Sequence, residues 1–257
     1  MLPSRFAFAT FLITAVSAFA QGPIPRGADG KPNLNGIWQA LTNANWDVQT
    51  HAPSPGPPAL GALLSVPPGM GIVEGEEIPY LPAALEQRKK NRQNRWKDDP
   101  EMKCYLPGVP RATYMPSPFQ ITQSSAAILI AYQYADAARS INMGKPREAP
   151  VDSWMGFSNG RWEGDTLVVD VKGLNDMTWF DRSGNFHSDA LHVVERYTPV
   201  NANLLNYEAT IEDSKTFSRP WKISLPLYRH MEKNARLMEY KCAEFAEELL
   251  YGHLRKK

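Results

Sequence analysis

The sequence predicts a mainly β protein, an antiparallel meander or barrel with one helix in its N-terminal half and a second helix at its C-terminus. Two observations carry this expectation. From about residue 117 onward, apolar and polar residues alternate with a period of two, as in strands that bury one face. Turn-forming pairs such as Asn159-Gly160 and Ser183-Gly184 separate these runs at short intervals, as they do in meanders and barrels.

The first twenty residues have the pattern of a signal peptide. A weakly positive start precedes an apolar stretch over residues 6–16, and Ala18-Phe19-Ala20 matches the small-x-small cleavage signal. We therefore expect residues 1–20 to be removed on export, and residues 21–257 to form a single β-rich domain that is periplasmic or secreted. The apolar stretch is too short for a membrane span, and an uncleaved anchor is the alternative.

Two segments before the strands have clear local signals. Prolines and glycines dominate residues 51–71, which predicts a long wrapping loop or a lid, because proline interrupts helices and central strands. Residues 82–97 begin with Pro82 and continue with helix-favouring residues, which predicts a helix with a solvated basic face. At the other end of the chain, residues 242–255 predict a closing amphipathic helix.

The strands are predicted from alternation. The expected strands cover residues 119–122, 128–134, 166–171, 191–197, 205–212 and 221–227. The pattern is strictest in the last two, where every second residue is apolar and its neighbours are mostly polar. No internal repeat interrupts this region, so we expect one domain.

Charge and cysteine content limit the function classes. The chain has 28 Lys and Arg against 27 Asp and Glu, which argues against nucleic acid as a partner. Its two cysteines, Cys104 and Cys242, would form a disulfide in an oxidising compartment. Such a bond would stabilise the fold by about 4–5 kcal/mol in the chain-entropy model. The alternative, a catalytic or metal-binding thiolate, would need a nearby His or a CxxC partner, and neither cysteine has one in sequence.

Polar residues that suit acid–base chemistry concentrate between residues 154 and 197. The candidate catalytic residues are His187, Asp181, Asp189, Asn175 and Arg182. In this hypothesis the histidine moves a proton, either aspartate orients its ring, and the amide or guanidinium stabilises negative charge. The structural alternative is that Asp181 caps a turn and His187 bonds a backbone carbonyl. No motif for a metal, nucleotide or other cofactor is present, so none is expected.

Aromatic residues predict the kind of ligand. The candidate ligand-binding residues are Trp154, Trp162, Trp179, Tyr114 and Tyr132. They are spread over strands and loops, which suits an apolar pocket at a barrel mouth, although most could simply fill the core. Two functions follow: binding of a small apolar or aromatic molecule, or a cofactor-free lyase, isomerase or hydrolase on such a molecule with His187 as acid and base.

A longer signature lies in the same region. Residues 160–170 read GRWEGDTLVVD and are followed by Asn175-Asp176, Trp179, Asp181-Arg182, Gly184 and His187-Ser188. This block resembles the signature of a widespread family of exported, largely uncharacterised bacterial proteins. The resemblance implies a β-rich, barrel-like domain and does not imply a mechanism. Gly36-Ile37-Trp38 also resembles the Gly-x-Trp start of lipocalins, which implies a calycin-like barrel.

Overall fold

The computed structural model describes residues 23–55, 65–251 and 253. Within them, nine strands form a closed barrel in which each strand pairs with the next and the last pairs with the first. The strands are β1 Gly36–Ala40, β2 Phe119–Gln123, β3 Ala127–Tyr132, β4 Ala138–Asn142, β5 Phe157–Glu163, β6 Thr166–Lys172, β7 His192–Asn201, β8 Leu204–Glu212 and β9 Trp221–Arg229. All pairs are antiparallel except β4 with β5, which is parallel. The predicted mainly β barrel is confirmed.

Alternation places one face of each strand inside the barrel. The inward residues of the last two strands are fully buried: Leu205, Tyr207, Ala209 and Ile211 of β8, and Trp221, Ile223, Leu225 and Leu227 of β9. The residues between them are half-buried or exposed. These strands therefore contribute apolar side chains to the barrel core, as their period-two pattern predicts.

Three α-helices lie outside the sheet in the described part of the chain, α1 Pro82–Asp98, α2 Arg111–Tyr114 and α3 Ala246–Tyr251, and a 3-10 helix covers Tyr134–Asp136. The predicted N-terminal-half helix is confirmed by α1, which has Pro82 in its first turn. The C-terminal helix is shorter than expected, because it begins at Ala246 rather than at residue 242. Phe245 has a φ of 52°, which is incompatible with a helix running through it.

The disulfide connects the end of the chain to the segment after α1. Cys104 and Cys242 are bonded, with their Cα atoms 5.7 Å apart and 138 residues apart in sequence. Nearby, the Phe245 amide donates to the Met102 carbonyl at 2.8 Å. The predicted disulfide is confirmed, and it holds the segment that follows β9 against the domain.

Two sequence predictions fall partly or wholly outside the described residues. The predicted signal peptide, residues 1–20, lies outside them. Of the proline-rich loop at 51–71, the two ends are described, and they pair through the bridges His51 with Gly69 and Ser54 with Val66. Among the helices of the described residues, none has the length and hydrophobicity needed to cross a bilayer.

Candidate functional site

The centre of the barrel holds a buried ion pair. Arg139 on β4 donates to both oxygens of Glu195 on β7, at 2.6 and 2.8 Å, and both side chains are buried. Three tyrosines complete the group. Arg139 Nε donates to the Tyr132 hydroxyl at 3.0 Å, and the Tyr197 and Tyr207 hydroxyls donate to Glu195 Oε1 at 3.0 and 2.8 Å. The barrel centre is therefore occupied by the chain's own polar groups, which sequence reasoning missed.

The five aromatic ligand-binding candidates lie in different places. Tyr132 belongs to the group around the ion pair, and the Tyr114 hydroxyl donates to the Phe180 carbonyl at 2.8 Å. Trp179 is buried, whereas Trp154 and Trp162 are half-buried at the edge of the core. The cleft beside Phe157 and the cleft beside Arg92 are lined by other residues. A binding role for these five stays a prediction, and their contacts are those of core-filling side chains.

Asp181 organises the loop of residues 175–189. Its fully buried carboxylate accepts hydrogen bonds from the backbone amides of Val48 at 2.9 Å, Ser183 at 2.9 Å and Asn185 at 3.1 Å. The Asn185 side-chain amide adds a fourth, at 2.6 Å. Burial and then the negative charge of Asp47 raise the pKa of Asp181 to about 7. The carboxylate thus joins the loop to the segment around residue 48.

His187 is held as a neutral ring. Its Nδ1 lies 2.9 Å from the Ser188 carbonyl and its Nε2 lies 2.6 Å from the Thr178 hydroxyl. Because a carbonyl only accepts, Nδ1 carries the proton and Nε2 accepts from the threonine. Burial lowers the pKa of His187 below its ordinary value. Among the hydrogen bonds of the described chain, none joins this ring to Asp181 or Asp189.

The remaining catalytic candidates make separate contacts. Asp189 is exposed and pairs with Lys215 at 2.6 Å. Asn175 accepts a hydrogen bond from the amide two residues later, at 3.2 Å. Arg182 donates to both oxygens of Glu101, at 2.7 and 2.8 Å. The five residues therefore do not form one constellation in this structure, and Asp181 and His187 have the contacts of the structural alternative.

The buried histidine gives a testable result. We expect the His187 ring to remain neutral down to pH values below 6.5, because its charged form is not solvated. The unfolded chain takes up a proton near pH 6.5, so this residue makes stability fall as pH decreases through and below that value. An NMR titration of the histidine ring signals measures the pKa. A His187 pKa at or above 6.5 would contradict the structural role and favour acid–base catalysis.

An open cleft of about 250 Å³ lies on the outer wall of the barrel, between residues 146–149 and strands β5 and β6. The half-buried Phe157 ring lines it. The charged residues of the lining are the cations Arg147, Arg161 and Lys172 and the carboxylates Glu148 and Asp170. Within residues 23–55, 65–251 and 253, the side chains of Arg147 and Lys172 make no ion pair with a carboxylate. Asp170, on the same wall, lies 3.0 Å from His192 Nε2. Sequence reasoning did not identify this cleft.

Neither a metal-binding cluster among the described residues nor a match to a known protein points to a function. In the part of the chain that the structure describes, no group of three or more His, Cys, Asp or Glu side chains could hold a metal ion. No protein-family model, curated protein or solved structure matches the chain. The resemblance to exported bacterial proteins therefore stays a prediction.

Proposed function

We propose that the protein binds a small molecule that has an apolar or aromatic part and a negative charge, in the cleft beside Phe157. The observation that carries the proposal is the combination of one aromatic ring with two cations, Arg147 and Lys172, that have no carboxylate partner among the described residues. The ring offers an apolar contact surface, and the cations offer charge-assisted hydrogen bonds to a carboxylate. A volume of about 250 Å³ suits a small ligand.

The cleft wall is held in place by the protein itself. The Asn159 side chain accepts from the Arg147 amide at 3.0 Å and donates to the Arg147 carbonyl at 2.9 Å. Asn142 donates to the same Asn159 oxygen at 3.0 Å. At Gly173, a Cβ atom would lie 2.6 Å from the Cβ of Ala149, so the loop packs tightly on the end of β6. A wall ordered before binding loses less conformational entropy when the ligand arrives.

Catalysis at His187 is the second candidate. Its support is the hydrogen bond of 2.6 Å between the Thr178 hydroxyl and His187 Nε2, which has the arrangement of a nucleophile and a base. Both side chains are buried, at 2% and 3% exposure, so a substrate would need the loop to open. Binding in the open cleft requires no such rearrangement.

An exported location is part of the proposal, because the disulfide fits an oxidising compartment.

Benzoate is a suitable probe of the cleft. We expect the double variant Arg147→Gln and Lys172→Gln to bind benzoate about tenfold more weakly than the wild type, because both positive charges are lost. Phe157→Ala should also weaken binding, through loss of the ring contact. Calorimetric titration measures the affinity. The matched control is Arg219→Gln with Lys222→Gln, which removes two exposed charges near β9, away from the cleft.

Two results would contradict this proposal. The first is equal affinity of the wild type for benzoate and for uncharged benzyl alcohol, because the proposed cations select a negative charge. The second is an equal loss of affinity in the control double variant, which would show that benzoate responds only to net charge.

A further inference from the structure

A second cleft, of about 60 Å³, lies where α1 meets the loop of residues 175–189. Three arginines line it: Arg92 and Arg95 from α1, and Arg182 from the loop. Ser183 and His51 also line it. The cleft shares no lining residue with the cleft beside Phe157, so it is independent of the proposed function.

Positive charge in this cleft exceeds the carboxylates that face it. Asp47 contributes a carboxylate to the lining. Its Oδ2 lies 3.9 Å from Arg92 Nη1 and 3.7 Å from Nη2 of Arg88, a residue outside the lining. Arg182 is already bonded to Glu101, at 2.7 Å. The charge of Asp47 is therefore shared by Arg88 and Arg92. The charge of Arg182 is compensated by Glu101, which is not part of the lining.

Arg95 is the cation with least compensation. Its guanidinium lies 4.6 Å from the Trp96 ring and donates weakly to the Arg92 carbonyl at 3.4 Å. No ion pair joins it to a carboxylate in the part of the chain that the structure describes. Burial and then the positive charge of Arg92 lower the pKa of Arg95. Like charges held together at a half-buried position favour an anion as a third partner.

Neutral groups in the cleft also have unused hydrogen-bonding capacity. The Ser183 hydroxyl accepts from Arg88 at 3.3 Å and from Arg92 at 3.2 Å, which leaves its own proton to donate. His51 Nδ1 lies 2.9 Å from the Gln49 carbonyl, so Nδ1 carries the ring proton. The buried Nε2 of His51 has no partner among the described groups. An oxyanion that carries a proton would satisfy all of these groups. Its oxygens would accept hydrogen bonds from the arginines and from the Ser183 hydroxyl, and its O–H would donate to His51 Nε2.

We propose that this cleft binds a phosphate group, either free or as the head of a phosphate monoester. Phosphate supplies several acceptor oxygens to Arg92, Arg95 and Ser183 at once, and as hydrogen phosphate it also donates one proton. The cleft volume of about 60 Å³ accommodates an oxyanion of a few atoms but not a larger ligand. The rest of a monoester would therefore extend into solvent.

The test is a calorimetric titration of the full-length protein with inorganic phosphate, at constant ionic strength set by chloride. We expect saturable binding of one phosphate, weakened about tenfold or more in Arg92→Gln and in Arg95→Gln. Arg92 is exposed and Arg95 is half-buried, so these variants should fold, and circular dichroism verifies this. The matched control is Lys90→Gln, which removes an exposed charge from the same helix and should bind within about twofold of the wild type.

Methyl phosphate distinguishes the two sources of the ligand. Binding of methyl phosphate as tight as that of phosphate supports a monoester head, whereas binding of phosphate alone supports a free anion. Absence of saturable binding of both would overturn the proposal. So would an equal loss of affinity in Lys90→Gln and the arginine variants, because the effect would then reflect net charge rather than a site.

Discussion

Glu195→Gln is expected to lower the free energy of unfolding by about 3–5 kcal/mol, the usual cost of removing one partner of a buried ion pair. Arg139 would keep its positive charge inside the barrel with only neutral groups around it. The Tyr197 and Tyr207 hydroxyls would also lose the charged acceptor to which they donate at 3.0 and 2.8 Å. The loss should be large because the glutamate is fully buried.

Urea unfolding measures this effect, and Glu212→Gln is the matched control. Glu212 lies on β8, the neighbouring strand, but it is exposed and contacts His192 on the outer face of the barrel. We expect the control to change stability by less than about 1 kcal/mol, as for other exposed ion pairs. Equal unfolding midpoints for the two variants would show that the Glu195 carboxylate is not what holds the barrel centre together.

Much of the barrel could be predicted because strand alternation is a local signal. The alternation in β8 and β9 gives the strands and their buried faces directly. The closure of the barrel, through pairing of β1 with β9, joins residues nearly two hundred positions apart, as in Trp38 with Arg229. Periodicity carries no information about such pairing, which depends on the stagger of all the strands.

The buried ion pair has a signal in the sequence. Arg139 is two residues from the inward-facing Ile141, and Glu195 is two residues from both Val193 and Tyr197, which are also buried. The period of two therefore places both charges inside the barrel. A charge inside the barrel requires a partner of opposite charge, and the two inward positions carry opposite charges, Arg139 and Glu195. Their direct contact, however, depends on the arrangement of β4 and β7 across the interior.

The candidate sites were harder to predict because side-chain direction in a loop has no period. Asp181, His187 and Asp189 are close in sequence, yet the first two point into different hydrogen-bond groups and the third into solvent. Gly184, between them, has a φ of 86° and packs so closely on α1 that a Cβ would lie 2.7 Å from the Arg92 amide. The packing against α1, which no local pattern encodes, sets the course of the loop.

Replacing Asp181 by Ala is expected to lower the free energy of unfolding by about 2–4 kcal/mol, because three backbone amides lose their acceptor in a buried place. The segment around Val48 would lose its connection to the loop of residues 175–189. Asp189→Ala is the control, since this exposed carboxylate contacts only Lys215 among the ion pairs of the described chain. We expect that variant to stay within about 1 kcal/mol of the wild type in urea unfolding.

The pH dependence of stability tests whether the buried Asp181 carboxyl holds a proton in the folded protein. Its pKa of about 7 in the folded protein is above the ordinary value of 3.8. The native state therefore holds a proton that the unfolded state releases, and the contribution of Asp181 to stability falls as pH rises from about 4 to 7. Asp181→Asn cannot titrate, so its stability should lack this decline. An unchanged pH profile in Asp181→Asn would mean that the carboxyl is ionised throughout this range, with its four hydrogen bonds outweighing the cost of burial.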